Sequence, residues 1–571
     1  MKKIIFVAIL AFIYLAPAKS QTRVPFVQTL SNPNRWVDSI FKKMNRNDKI
    51  AQLFMVRAHT NLGKAYADSV GEIIRKEHLG GVVFFQGGPG RQAALTNTYQ
   101  SLSKVPLMIA MDGEWGLGMR LDSTISYPYQ MTLGAIQDKS LIYQMGQEVA
   151  KDFKRLGMQI NFAPDLDVNN NPRNPVINYR SFGENKYNVA EKGIAYMKGM
   201  QDAGLFTTAK HFPGHGDTDV DSHYDLPQLP FTAARLDSLE MYPFKQAFAD
   251  GLSGIMIAHM NIPALDNTEH LPSTLSKPIV TGILKDKLGY KGLIFSDAMG
   301  MKGVVKYFPN GEADVRGVLA GMDVLELSEN SARAIKLIRK SIRHHRLNWD
   351  DIDVKVKRIL AAKYWMGLNN LKPVNTENVV EDLNRAESKQ LVQKLTDASL
   401  TVLKDESVIP LKNDFVRKTA IITIGPKEPS VFAQDLKKNN PNSLLFIIPK
   451  DISITELEAV KNQLNNYDQF IISIYDTRLR PQSTLDFNTD IKLFIAAMAT
   501  KNTITAVFAN PYSIAGLPGI EKSKALLVGY QNMVEMEHSA AKVLIGTLKA
   551  SGTLPVTINA FFKYGDGLQM K

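Results

Sequence analysis

Between residues 53 and 327 the chain carries eight short apolar runs, most of them separated by segments with helical spacing. The runs cover 53–57, 80–86, 105–112, 159–164, 205–209, 254–259, 292–297 and 323–327. Each is apolar along most of its length rather than at alternate positions, which marks strands buried on both faces. Helix-like stretches at 68–79, 92–102, 141–156, 188–203, 236–250, 277–288 and 315–321 supply the crossovers that parallel strands require. Eight such units predict an N-terminal (β/α)8 TIM-like barrel, a fold of typically ~250 residues with insertions allowed. An open doubly wound sheet is the alternative, and no GxGxxG follows the first run to support it.

Helical segments at 331–345 and 349–365 close this half, and the polar stretch after them reads as a linker over 369–385. A second series of apolar runs, at 419–425, 444–449, 469–475, 503–509 and 525–530, predicts a smaller α/β sandwich domain over 386–571. The barrel domain is then 21–368. Ahead of it stand Met1-Lys2-Lys3, an apolar run over 4–16, and Ala18-Lys19-Ser20. That is the pattern of a signal peptide, 1–20, cut after Ser20, so the protein is expected to be exported, periplasmic or secreted. A membrane anchor is the alternative, but the run is shorter than the ~20 residues a spanning helix needs, and no stable membrane insertion is expected.

The 571 residues include no cysteine. That removes disulfides, thiolate nucleophiles, thiolate metal ligands and a lipid-attachment site, and leaves core burial to hold an exported chain. Formal charge is +12, from 68 Lys and Arg against 56 Asp and Glu, with Lys2, Lys3 and Lys19 in the expected leader. Basic residues are interspersed with acids and form no block with interleaved aromatics, so no nucleic-acid partner is expected. A mildly basic surface suits an anionic polymer such as cell wall. The oligomeric state is not legible.

Polar residues stand where the apolar runs end. Asp112, Asp167, Lys210-His211, His259 and Asp297 each lie at or just past the end of a different run. A barrel gathers these ends around one rim, where barrel enzymes keep their chemistry. A lone acid there is often a helix cap, but five such ends are harder to explain as caps. Glu114, Arg120 and Arg180 fall on the same rim. Acids, a Lys-His pair and an Arg, with no Ser or Cys nucleophile motif, point to acetal chemistry on a polyol. A carboxylate can attack an anomeric carbon while an acid protonates the leaving oxygen.

The segment Asp221-Ser222-His223 follows on a glycine-bounded loop. An acid two residues before a histidine can bond the imidazole, fix its tautomer and raise its pKa, which suits a general acid near neutral pH. A surface loop with incidental Asp and His is the plain alternative. Metal is the rival reading for so many His and Asp residues, although His211, His215 and His223 fit no H-E-x-x-H or Cys-rich spacing. His215 lies between glycines and is expected to shape the loop.

Taken together, Met111-Asp-Gly-Glu-Trp-Gly116, Asn161-Phe-Ala-Pro-Asp-Leu-Asp-Val168, Arg180-Ser-Phe-Gly183, Lys210-His-Phe-Pro-Gly-His-Gly216, Asp221-Ser-His223 and Phe295-Ser-Asp-Ala-Met299 resemble glycoside hydrolase family 3 in its β-N-acetylglucosaminidase branch, exported two-domain type. The likeness spans 46–367. It implies a retaining double displacement with no cofactor and no metal: Asp297 as nucleophile, His223 oriented by Asp221 as acid and base, and Asp112, Arg180, Lys210 and His211 binding the terminal N-acetylhexosamine. The implied substrate is an amino-sugar oligosaccharide or muropeptide. An N-acetylglucosaminide phosphorylase, a non-catalytic cell-wall-binding protein and a metal-dependent hydrolase remain alternatives. Trp115 departs from the Gly usual in this branch. Family likeness in the second domain is weaker, chiefly 398–404 and 409–411, and that domain is expected to narrow the cleft without supplying the acid.

Overall fold

Eight strands wrap into a parallel sheet in the order β7-β6-β5-β4-β3-β2-β1-β8 in a computed structural model that describes residues 23–221, 224–411 and 417–570. The strands are β1 (Phe54–Ala58), β2 (Gly81–Phe84), β3 (Met108–Met111), β4 (Ile160–Asn161), β5 (Phe206–Phe212), β6 (Gly254–Ile257), β7 (Leu293–Ser296) and β8 (Leu325–Glu326). They fall on the eight predicted runs. The seam between β7 and β8 closes through one parallel bridge, Phe295 with Val324. Ser296 N donates to Val324 O and Val324 N to Ile294 O, both at 3.0 Å. The expected leader lies outside the described residues.

Side-chain alternation at the seam decides what faces the barrel interior. Phe295 meets Phe162 of the loop after β4 at 5.8 Å between ring centroids and Phe206 of β5 at 6.3 Å, so it points inward. Leu325 points outward, where a Cβ on Gly317 of the covering helix Glu312–Ala320 would stand 3.0 Å from it. The floor is aromatic too. Phe206 packs on Phe26 at 5.3 Å and on Trp365 at 6.0 Å. Trp365 ends the long helix Trp349–Trp365, and its indole N–H donates to Val24 O at 2.9 Å. Arg23 lies over the same indole at 4.3 Å.

A second sheet runs β11-β10-β12-β13-β14-β9. Its strands are β9 (Thr401–Asp405), β10 (Thr419–Gly425), β11 (Leu444–Pro449), β12 (Gln469–Tyr475), β13 (Thr503–Phe508) and β14 (Ala525–Val528). Five are parallel and sit on the predicted runs. The sixth, β9, is an antiparallel edge strand on β14 that hydrophobic patterning does not reveal. Period-two alternation divides these strands between two layers. Ile422 and Ile424 join the core with helices Ile454–Leu464 and Thr489–Ala499, while Ile421 joins the one with Val431–Asn439 and Val534–Ile545.

The expected linker carries a short helix, Val379–Leu383, whose Val379 and Leu383 are buried against barrel helices. The two domains share a polar seam. The Gln531 side-chain carbonyl accepts from Tyr129 N at 2.8 Å and Thr132 Oγ1 at 2.7 Å. Glu184 accepts from Thr557 N at 2.8 Å. Gly183, at φ 129°, lets Pro555 approach so closely that a Cβ would sit 2.2 Å from its carbonyl oxygen. Among the described residues no helix is long and apolar enough to cross a membrane.

Candidate active site

The rim at the carboxyl ends of β1–β8 gathers the strand-end residues. Gly113 explains the spacing Asp112-Gly-Glu114. A Cβ there would lie 2.6 Å from the Phe153 ring, so the chain turns tightly against helix Lys139–Arg155. Asn161 then clamps Gly113, accepting from its N–H at 2.9 Å and donating to its carbonyl at 3.0 Å. Asp112 and Glu114 thereby emerge on either side of one lysine. Lys210 Nζ stands 2.7 Å from Asp112 and 2.8 Å from Glu114.

Two arginines extend the lattice. Arg180 grips Glu114 through Nε at 2.9 Å and Nη2 at 2.6 Å, and Arg120 Nη2 donates to Asp112 at 2.6 Å. Burial alone would raise both carboxyls, but the neighbouring cations outweigh it. Arg180 and Lys210 bring Glu114 down to about 2, and Lys210 and Arg120 hold Asp112 well below the usual carboxylate range. Burial would lower Lys210, and the two acids reverse that and raise it. The lattice is therefore charged throughout and fixed in place, suited to holding the hydroxyls of a polyol.

His211 is oriented from behind. Its Nδ1 lies 2.7 Å from Asp167, and its backbone N–H donates to the same carboxylate at 3.2 Å. His215 N donates there too, at 2.6 Å. Burial lowers His211 to about 4 and His215 to about 3, so both rings are neutral near pH 7. With Nδ1–H given to Asp167, Nε2 of His211 is left as an acceptor. His215 is wholly enclosed, its ring 5.8 Å from that of His211 and its Nδ1 2.7 Å from Thr218 Oγ1.

Asp165, Asp167 and His211 place three potential ligand atoms within 4.8 Å of one another. Burial and the adjacent Asp167 charge push Asp165 well up, so it keeps its proton. Asp167 is already engaged by two backbone amides and an imidazole, and the cluster serves to set His211.

Asp297 follows β7, partly exposed, with its N–H donating to Ile257 O at 3.0 Å and its Oδ1 accepting from Ala298 N at 2.7 Å. His259 supports it from the side: the ring lies against Thr274 Oγ1 and 3.0 Å from the Ala298 carbonyl. Asp221 lies on the loop after β5, where its carbonyl accepts from Tyr224 N at 2.9 Å. His223 lies outside the described residues.

Three features of the rim are absent from the sequence reading. Asn161 is one, hidden inside a motif whose acids drew attention. An aromatic wall is another, of which the sequence singles out Trp115 alone: Trp115 meets Tyr129 edge-on at 4.8 Å, and Tyr129 meets Tyr179 at 4.9 Å. Tyr179 in turn packs against a cluster of Met131 with Tyr512 and Val556 of the second domain. The third is Glu326, a buried carboxyl at the end of β8.

Residues 46–362 match the model of the glycosyl hydrolase family 3 N-terminal domain. The chain belongs to glycosyl hydrolase family 3. As a member of that family, it is a glycoside hydrolase. Among curated relatives, a β-hexosaminidase A from Pseudoalteromonas piscicida is 29% identical over 557 residues, covering 86% of this chain and 90% of that one. The β-hexosaminidase LpqI of Mycobacterium tuberculosis is 29% identical over 340 residues, 56% of this chain and 83% of that protein. Among solved structures, a family 3 β-N-acetylglucosaminidase from Paenibacillus sp. FPU-7 superposes with TM-score 0.76 at 30% identity, covering 90% of this chain and 99% of that one. A β-glucoside phosphorylase, BglX, shares the fold with TM-score 0.79 at 22% identity, over 92% and 97%. This family 3 member thus has both the barrel and the second domain in common with its solved relatives.

Proposed function

We propose that this chain is an exported, exo-acting β-N-acetylhexosaminidase that removes terminal β-linked N-acetylglucosamine from peptidoglycan fragments by double displacement. The carrying observation is a partly exposed carboxylate, Asp297, on the same rim as the charged lattice of Asp112, Glu114, Lys210 and Arg180. The names of the P. piscicida and Paenibacillus relatives supply the amino sugar. The expected leader and the basic surface supply the wall.

In this reading Asp112, Arg180, Lys210 and His211 hold the terminal sugar. The Asp297 carboxylate attacks the anomeric carbon as the bond to the leaving oxygen breaks, and His223, held by Asp221, gives that oxygen its proton. In the second half His223 takes a proton from water, the water oxygen attacks the anomeric carbon, and the Asp297 ester bond breaks. An Asp-His dyad on a loop suits an acid that also acts as a base near neutral pH.

The test is chromophore release from an aryl β-N-acetylglucosaminide and from the matching β-glucoside, with and without inorganic phosphate. Free N-acetylglucosamine, at a rate independent of phosphate, is expected. No release from either sugar would favour a wall-binding protein, and sugar 1-phosphate as product would replace hydrolysis by phosphorolysis. EDTA is expected to leave the rate unchanged; a loss restored by Zn²⁺ would assign the chemistry to Asp165, Asp167 and His211.

A further inference from the structure

The bridge between Phe295 and Val324 pairs β7 with β8, and two residues beyond it Asp297 and Glu326 come close enough for their charges to interact. Alternation then fixes direction. Phe295 points into the barrel, and so does Asp297 two residues on; Leu325 points out, and so Glu326 points in. Neighbouring strands lie ~4.8 Å apart, so the two carboxyls are side by side at the mouth.

Glu326 is 3% exposed. Its backbone is pinned, with N–H donating to Ser296 Oγ at 3.0 Å and the carbonyl accepting from Met299 N at 2.8 Å. Its side chain is not: the buried Oε1 has no hydrogen-bond partner among the described residues. A buried carboxyl without a partner costs free energy unless it is neutral or awaits a ligand. Burial first, then the charges of Asp112 and Asp297, drive its pKa well up, with Lys210 opposing. The group is therefore a carboxylic acid, with a proton to donate, facing the space between nucleophile and sugar lattice.

We propose that Glu326 is a substrate-binding residue that donates its carboxyl proton in a hydrogen bond to a ring hydroxyl of the terminal sugar. The assignment rests on the glycosidase reading above. A sugar held by Asp112 and Lys210 with its anomeric carbon at Asp297 spans the barrel mouth, where Glu326 stands. The hydroxyl oxygen accepts from Glu326 while its own proton is given to an ionised neighbour such as Asp112. A glutamate kept neutral adds a donor without adding a third negative charge beside the nucleophile. It also leaves Asp297 ionised, as nucleophilic attack needs.

Two variants and one spectrum test this. Glu326→Leu removes the donor and is expected to lower kcat/KM roughly 10- to 100-fold. Glu326→Gln keeps a neutral donor of the same size and is expected to lose less than about 5-fold. Equal losses in both variants would mean that an ionisable proton is required, and would overturn the assignment; so would a Leu variant with wild-type kcat/KM. Infrared difference spectroscopy of the resting protein against Glu326→Gln at pH 7 should show the C=O band of a protonated carboxyl, and adding N-acetylglucosamine should shift it. Absence of the band, or a band indifferent to the sugar, also overturns the proposal. The resting-state band needs no turnover, so it tests Glu326 even if the aryl N-acetylglucosaminide assay fails.

Discussion

Glu114 and Arg180 face each other through two parallel hydrogen bonds, and Glu114 has no exposed surface. The pair joins the end of β3 to the turn at Asn178–Arg180, so one interaction locks two walls of the rim. Removing one member of such a pair leaves the other charge buried without its counterion, which costs about 3–5 kcal/mol. We predict that Glu114→Gln lowers unfolding free energy by that amount and raises KM. Chemical denaturation and kinetics on the same preparation check it. A change below about 0.5 kcal/mol would mean the pair is not a structural lock.

Asp297→Asn keeps the shape of the proposed nucleophile and removes its charge. Turnover of any β-N-acetylglucosaminide is expected to fall by orders of magnitude while the melting temperature stays near wild type. Near-normal activity would end the nucleophile assignment.

His223→Ala separates the proposed acid from the proposed nucleophile. Substrates with poor leaving groups, such as a disaccharide, need the proton and are expected to slow by about 10²–10⁴. Aryl glycosides with acidic phenols need it less. Equal losses on both would remove His223 from the role of acid.

Asp314 sets a pH dependence away from the site. It is 2% exposed, bonded to Ser328 Oγ at 2.9 Å, and burial raises it from 3.8 to about 7. A carboxyl whose folded pKa is raised contributes stability below its unfolded value and loses it as pH climbs through the folded one. We predict that Asp314→Asn gains stability over wild type between pH 5 and pH 8, by an amount on the order of 2–4 kcal/mol. Melting curves at the two pH values check it, and a constant difference would refute the buried-acid account.

Much of this architecture could be read before any coordinates. The barrel strands are buried on both faces, so their apolar runs are unbroken, and their parallel order follows from the helices between them. Strand β9 escapes because Thr-Val-Leu-Lys-Asp is half polar and lies at a sheet edge, where only one neighbour constrains it. Strand-end residues were legible because barrel topology makes them neighbours whatever their spacing. Glu326 was not, since it sits inside an apolar run and only the seam register reveals its direction. Asn161 and the Tyr129 and Tyr179 members of the aromatic wall escape for another reason. Their importance lies in contacts between distant segments, which residue type alone does not advertise.

The hydrogen bond from Trp365 to Val24 has a topological consequence. It fastens the segment just ahead of helix Phe26–Thr29 to the last helix of the barrel, so the ring's two ends are neighbours at its floor. Joined by a short linker, residues 23 and 367 would let the barrel be reopened at another loop with its aromatic floor still sealed.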